Sequence, residues 1–247
     1  MNVKKWLEQS DPDIACFQEI KSQTAAFPSD VFEDMGYNVV VHGQKSFNGV
    51  AILSKRPIDD IVDTLPGDDN DEQARYLEVT VTTGSTSLRV SSIYLPNGNP
   101  VDSDKFPYKL NWMKRLKRHV ETLLVFEEPL VLAGDYNIIP SDIDVYDPDA
   151  WRDDALFRPE SLSNFREIAN LGLTDACRAC HADGNQFTFW DYQRGAWQKD
   201  HGLRIDHLML SPQAADLLKN CQIDRYTRGW EKPSDHVPIW INLTVND

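Results

Sequence analysis

The chain alternates short apolar runs with amphipathic stretches, and polar side chains gather where the runs begin or end. Val3, Trp6 and Leu7 share one face of a helix that stops near Ser10-Asp11-Pro12. Ile14-Ala15-Cys16-Phe17 is too short for a core helix and runs straight into Gln18-Glu19. Pro28-Ser29-Asp30 starts a second, short helix leading into a strand from Tyr37 to Val41, and Val50 to Leu53 and Tyr76 to Val81 read as further strands. Leu88 to Ile93 alternates polar and apolar residues and ends at Tyr94, before the turn Pro96-Asn97-Gly98. From about Asp104 to Phe126, Leu110, Met113, Leu116, Val120 and Leu124 recur at helical spacing. Pro129-Leu130-Val131-Leu132-Ala133 then reads as a buried strand that delivers Gly134-Asp135-Tyr136-Asn137.

Residues 140 to 159 are rich in Asp and Pro without a clear period, which predicts a surface excursion. A helix is expected around Ser163 to Leu171 with Ser163 as its cap, and Ser211-Pro212 is a cap and first turn for a helix through Leu218. Arg204-Ile205-Asp206-His207 opens the run Leu208-Met209-Leu210, and Ser234-Asp235-His236 opens Val237 to Ile241. In a sheet that mixes parallel and antiparallel strands, starts and ends lie along one edge. Glu19, Tyr94, Asp135, Asn137, Asp206, Asp235 and His236 are therefore expected to converge. Gly134 to Asn137 alone reads equally well as an Asx turn; recurrence at five strand ends makes a site.

Composition narrows the class. The 247 residues carry no Gly/Ser linker and no visible repeat, so residues 1–247 read as one α/β domain, and 41% hydrophobic residues with seven tryptophans supply a sizeable core. The N-terminal residues lack an apolar signal region, and no stretch approaches the roughly 20 apolar residues of a membrane span. Four cysteines read as reduced thiols, and Cys177-Arg178-Ala179-Cys180 lacks the second pair that a zinc site needs. The expected setting is a cytoplasm, a bacterial cytosol in the first instance, with the protein a monomer. Thirty-nine acids against twenty-five bases give a net charge of −14, which argues against loose adsorption to nucleic acid but not against a nuclease with locally neutralised carboxylates. The run Asp68 to Glu72 lacks the glycine and distal glutamate of a calcium loop and reads as solvated. Lys114, Arg115 and Arg118, with Lys117 at the margin, form either a solvated helix face or a phosphate rail.

The clustered hard oxygens suit Mg²⁺ or Mn²⁺, and such an ion relieves the two obstacles to phosphodiester hydrolysis, repulsion of hydroxide and a poor alkoxide leaving group. Glu19 is the first choice as metal ligand, with Asp135, Asn137 and Asp235 as further donors. Asp135 also activates or orients water, and Asn137 holds the phosphate or that water. Asp206 either steers Asn137 or helps bind metal. A protonated His236, its pKa raised by a carboxylate, donates to a nonbridging phosphate oxygen, and Tyr94 donates to the same group. No serine or cysteine in these motifs has the neighbours of a nucleophile, which favours direct attack by water.

Ala15-Cys16-Phe17-Gln18-Glu19-Ile20-Lys21, Gly134-Asp135-Tyr136-Asn137, Leu203-Arg204-Ile205-Asp206-His207 and Ser234-Asp235-His236 resemble, in order, the motifs of the exonuclease III branch of the endonuclease/exonuclease/phosphatase superfamily. Asn48 to Ser54, Gln73-Ala74-Arg75, Tyr94 to Gly98, Lys105-Phe106 and Asp142 to Tyr146 fit the same pattern. The resemblance implies a four-layer sandwich of two packed mixed β-sheets flanked by helices. It implies a metal-dependent repair nuclease that cuts 5′ of abasic sites and degrades duplex DNA from 3′ ends. It places Phe189, Trp190, Leu203 and Ile205 around a flipped abasic sugar, and makes Arg75, Lys105, Lys109 and Arg194 candidates for DNA backbone contacts. Two other readings compete: a phosphodiesterase on phospholipid head groups or inositol phosphates, and a DNA-binding or regulatory member with impaired catalysis. The family opens with a strand ending in an asparagine that joins the site. This chain opens past that point, inside the first helix, so Asn2 is not that residue, and the working protein is expected to start upstream of Met1.

Overall fold

Residues 130 to 135 show how the layers arise. Leu130 and Leu132 turn to one core while Val131 and Ala133 turn to another, the two-residue period of a strand buried on both faces. The computed structural model describes residues 2–84 and 86–244; Met1, on which the reading of the N-terminus turns, lies outside the described residues. The elements run α1 (Asn2–Ser10), β1 (Ile14–Phe17), α2 (Ser29–Glu33), β2 (Asn38–His42), β3 (Val50–Ser54), β4 (Ile58–Val62), β5 (Tyr76–Thr83) and β6 (Thr86–Tyr94). They continue with α3 (Lys105–Leu124), β7 (Leu130–Asp135), α4 (Pro148–Trp151), α5 (Pro159–Ala169), β8 (Thr174–Asp175) and α6 (Ala176–Cys180). Last come α7 (Ala196–Lys199), β9 (Asp206–Leu210), α8 (Pro212–Asp216), β10 (Leu218–Ile223) and β11 (Ile239–Leu243).

Six strands in the order β4-β5-β6-β7-β9-β8 form one sheet, mixed because β6 and β7 run parallel while their other neighbours run antiparallel. The facing layer holds β1-β3-β2 and, separately, β10-β11, all antiparallel. The expected four-layer α/β sandwich stands, with the difference that only the larger sheet mixes directions. Val50 and Ile52 of β3 join Leu77, Val79, Val90 and Val131 between the sheets. The alternate β3 residues Ala51 and Leu53 meet Trp6, Leu7 and Phe32 of the outer helices. On the far side Trp112, Met113, Leu116 and Val120 of α3 pack with Phe165 and Ile168 of α5 against the larger sheet.

Several sequence expectations change. Strand β4 was not foreseen, because Asp59 and Asp60 interrupt its apolar run; as an edge strand it shows those acids to water. Helix α5 starts at Pro159 with Arg158 in the cap position, ahead of Ser163, since a proline's fixed φ suits a first helical turn. The excursion from 140 to 159 is half buried: Val145, Leu156 and Phe157 pack in a core of their own, and Asp144 anchors Arg204. Arg115 is no part of a solvated face. It is 3% exposed, and its guanidinium meets Asp71 at 2.6 Å and the carbonyls of Leu65 and Pro66. Asp71 is correspondingly withdrawn from the solvated acidic loop and also accepts from Tyr108. Lys114 and Arg118 remain exposed, while Lys117 lies 3.2 Å from Glu167. Among the described residues no helix is long and apolar enough to cross a membrane.

Candidate active site

Tyr94, Asp135 and Asp206 stand side by side at the ends of β6, β7 and β9, each the register partner of the next. Gly134 makes this row possible. Its φ is +148°, and a Cβ there would fall 2.0 Å from the Ile93 carbonyl oxygen, so only glycine lets β7 approach β6 this closely. Asp135 and Asp206 are 4% and 7% exposed. Two carboxylates facing across adjacent strands disfavour double ionisation. Burial pushes Asp135 up to about 7, the charge of His236 opposes that rise and the charge of Asp206 adds to it.

Asn137 turns back on this carboxylate at a φ of +47°. Its backbone N–H donates to Asp135 Oδ1 at 2.8 Å, and its Nδ2 donates to Asp135 Oδ2 at 3.1 Å and to the Leu95 carbonyl at 3.0 Å. Both amide protons are thus engaged, and in this geometry Asn137 positions Asp135 rather than presenting donors outward. Its Oδ1 accepts from Asn97 Nδ2 at 3.0 Å. Beneath this pair lies Lys109, expected on the DNA backbone but completely buried, with Nζ donating to the carbonyls of Asn137 at 2.6 Å and Asn97 at 3.1 Å. Burial brings its pKa down to about 7.

His236 is held by the other acid of the row. Its Nδ1 lies 2.9 Å from Asp206 Oδ2 and 3.1 Å from Oδ1, while Nε2 faces Asp135 Oδ2 at 4.0 Å, beyond hydrogen-bond reach. Burial pushes the imidazole down, but the charge and hydrogen bond of Asp206, with Asp135 and Asp235 behind, lift it to about 10. It is therefore an imidazolium at neutral pH with one proton aimed at the gap before Asp135. Asp206 holds His236, and among the described residues it makes no hydrogen bond to Asn137.

Glu19 follows β1 at a φ of +51°, a left-handed conformation that turns its carboxylate across to the larger sheet. Tyr94 donates its hydroxyl to Oε1, and Lys21 lies 2.8 Å from Oε2. Burial raises the Glu19 pKa, but the hydrogen bonds from Lys21 and Tyr94 outweigh it and keep the group ionised. Tyr94 thus bonds Glu19 in this structure, and Arg75 stacks on its ring at 4.8 Å. Asp235 lies on the chain just before His236; its carbonyl accepts from the Trp190 N–H at 2.9 Å and its charge supports His236 and Lys21. Among the described residues no three His, Cys, Asp or Glu side chains converge as a metal-holding cluster. A hard cation that keeps most of its waters needs only one or two carboxylates plus substrate oxygens, and the ionised, half-exposed Glu19 fits that need.

Of the four residues expected around a sugar, three are buried. Trp190, Leu203 and Ile205 are 0–2% exposed, because Trp190 packs against Trp197 and donates to Asp200, and the other two face Val145 and Phe157. Phe189 alone of the four keeps exposure, with its ring 5.0 Å from His236. Lys105 is exposed at the start of α3, and Arg194 is exposed before α7. Behind the row, the fully buried Arg204 bridges Asp144 at 2.6 Å and Asp175 at 2.8 Å, fixing the segment that delivers Asp206. Asn97 and the bracing role of Lys109 were missed by sequence reasoning; the Pro96-Asn97-Gly98 turn directly after the Tyr94 strand end was the available signal.

A family model described as the Endonuclease/Exonuclease/phosphatase family matches residues 2–236. Exodeoxyribonuclease III of Haemophilus influenzae is 34% identical over 242 residues, 95% of this chain and 91% of that protein. Among solved structures, an AP endonuclease from Archaeoglobus fulgidus superposes with a TM-score of 0.93 at 34% identity, covering 98% of this chain and 93% of the other. A 3′ phosphatase from Neisseria bound to product DNA hairpin gives 0.94 at 37% identity, with the same coverage.

Proposed function

The chain belongs to the endonuclease/exonuclease/phosphatase family, and we propose that it is a divalent-metal-dependent DNA repair nuclease that hydrolyses phosphodiesters 5′ of abasic sites and trims duplex DNA from 3′ ends. One observation carries the reading: His236, held charged by Asp206, aims a proton across a 4.0 Å gap at Asp135, a buried carboxyl poised near neutrality. An acid and a base flanking one small gap suit an in-line attack of water on phosphorus.

In this account Asp135, steadied by Asn137 and Lys109, takes the proton of the attacking water. His236 donates to a nonbridging phosphate oxygen as charge builds there, which favours the transition state over the ground state. The new bond joins the water oxygen to phosphorus, and the bond from phosphorus to the upstream O3′ breaks. The products are a 3′-hydroxyl, its proton drawn from solvent, and a 5′-phosphate on the abasic sugar. A bound Mg²⁺ or Mn²⁺ would withdraw charge from the phosphoryl group and stabilise the leaving oxygen, and Glu19 would hold it. Tyr94 and Lys21 set the carboxylate for that task. Phe189 is the side chain of the aromatic segment available to touch the extruded sugar, and Arg75 and Lys105 are the cations offered to the DNA backbone.

The test is the chemistry of the ends. A duplex with one synthetic abasic site should be cut in Mg²⁺, not in EDTA, to a 3′-hydroxyl that a polymerase extends. Cleavage that continues in EDTA, or a product that is not extended, would count against the reading.

A further inference from the structure

The run Cys177-Arg178-Ala179-Cys180, too sparse for a zinc site, gains a third thiol from the fold. Helix α6 packs on β9 and β10, which brings Cys177 into the core cluster that holds Cys221. His181, the residue after the helix, spans the two cysteines. Its backbone N–H donates to the Cys177 carbonyl at 2.8 Å, and its Nε2 lies 2.6 Å from the Cys221 carbonyl. A carbonyl only accepts, so Nε2 carries the proton and is occupied. Among the described residues no metal-holding set forms here. The cluster is one of free thiols.

Two buried cysteines in a core are ordinarily inert, packed as small apolar side chains. This pair departs from that pattern. Cys177 and Cys221 are 0% and 1% exposed, yet the Cys221 thiol donates to the Cys177 sulfur. That hydrogen bond, joined by the charges of Arg204 and Arg178, pulls the Cys177 thiol down in pKa against burial and the charge of Asp175. The same contact, with burial, pushes the Cys221 thiol up. One sulfur is thus prepared as a nucleophile and its neighbour holds a proton, the polarity that thiol–disulfide exchange uses. Cys180 supplies access. It is exposed, stands three residues after Cys177 on α6, about 5–6 Å away between Cβ atoms, and its charge is felt at Cys221.

We propose that Cys177, Cys180 and Cys221 form a redox modification site for a small-molecule disulfide, entered at Cys180 and ending as a Cys177–Cys221 disulfide in the core. Deprotonated Cys180 attacks one sulfur of the small disulfide, forming a mixed disulfide and releasing one small thiolate. The Cys177 thiolate attacks the Cys180 sulfur, breaking that bond and releasing the second small thiolate. Cys221 then attacks Cys177; its proton goes to Cys180, which leaves as a free thiol. In sum two protein thiols give up two electrons and two protons, and the small disulfide becomes two thiols. The site does not depend on what Asp135 and His236 hydrolyse.

The test incubates the folded, reduced full chain with excess oxidised glutathione, caps remaining thiols with iodoacetamide and digests with trypsin without reductant. Trypsin cuts after Arg178, so Cys177 and Cys180 fall on separate peptides, residues 167–178 and 179–194, while Cys221 lies on residues 220–225. Mass spectrometry should find 167–178 linked to 220–225, with Cys180 capped by iodoacetamide. Cys180→Ser, an exposed and mild change, should reach the same linkage at least about tenfold more slowly, because the thiols left at the site are buried. A glutathione adduct that stays on Cys180, an end product linking 167–178 to 179–194, or no modification at all overturns the proposal. So does a Cys180→Ser variant that forms the core link at the wild-type rate.

Discussion

Replacing Asp206 by asparagine separates charge from shape at the centre of the site. The amide keeps an acceptor for His236 Nδ1, now 2.9 Å from Asp206 Oδ2, but loses the negative charge. That charge and its hydrogen bond are the largest influences lifting the imidazole to about 10 against the pull of burial. Without them the imidazole should return to its ordinary value near 6.5 or lower. At pH 8 the wild-type ring stays protonated, whereas a ring titrating at 6.5 is protonated about one time in thirty, so the variant should cleave about 30-fold more slowly or worse. At pH 5.5 both rings carry the proton and the difference should shrink to a few-fold. Asp135 titrates in both proteins, so the informative quantity is the ratio of single-turnover rates at each pH, measured with an NMR titration of His236. A ratio that stays flat from pH 5.5 to 8, or a variant imidazole still titrating near 10, refutes the coupling.

The remaining predictions concern metal, core and DNA contacts. Glu19→Gln should abolish metal-stimulated cleavage with an unchanged melting temperature, because the side chain is 39% exposed and takes no part in core packing; an active variant returns Glu19 to an ordinary surface acid. Arg115→Ala leaves Asp71 and two carbonyls without their partner and should cost about 3–5 kcal/mol in urea unfolding, with any loss of DNA binding following from that instability. Lys114 and Arg118, changed to alanine together, should reduce the salt slope of duplex binding by about 0.9 for each phosphate they neutralise, and an unchanged slope leaves them as a solvated face. His207 is buried neutral, with burial and then the Arg204 charge pushing it down to about 4. The unfolded chain therefore binds that proton first, and the contribution of His207 to stability should fall as pH drops from about 6.5 toward 4, by about 2 kcal/mol at pH 5. Because Asp135 and His236 are shifted up and add stability over the same range, the readout is the difference between wild type and His207→Gln, which should change by that amount between pH 7 and pH 5; a difference that stays constant would contradict it.

What the sequence disclosed was the strand ends and the chemistry gathered there. Ala15 to Glu19, Tyr94, Gly134 to Asn137, Asp206 and His236 lie where the alternation of apolar runs and polar stops puts them, because strand periodicity and burial are local properties of the chain. What it withheld depends on partners distant in sequence. No pattern says that Tyr94 spends its hydroxyl on Glu19, that Asp206 serves His236 instead of Asn137, or that Asn137 uses both amide protons on Asp135 and Leu95. Charge misled in the same way: Arg115 and Lys109 look like surface cations on a helix, yet acceptors from Asp71, Leu65, Asn97 and Asn137 converge on them in the core. The family resemblance set Trp190 beside a sugar, and no sequence pattern says that it is buried against Trp197.

The central claim is that Asp135 activates water for a metal-assisted attack that His236 supports. Single-turnover cleavage of an abasic-site duplex by wild type and by Asp135→Asn, with binding measured on the same duplex, tests it most directly. The account predicts Mg²⁺-dependent cutting by the wild type and a loss of at least about a hundredfold in the variant with affinity unchanged. A variant that cuts at the wild-type rate, or one whose whole defect is weaker binding, would contradict it.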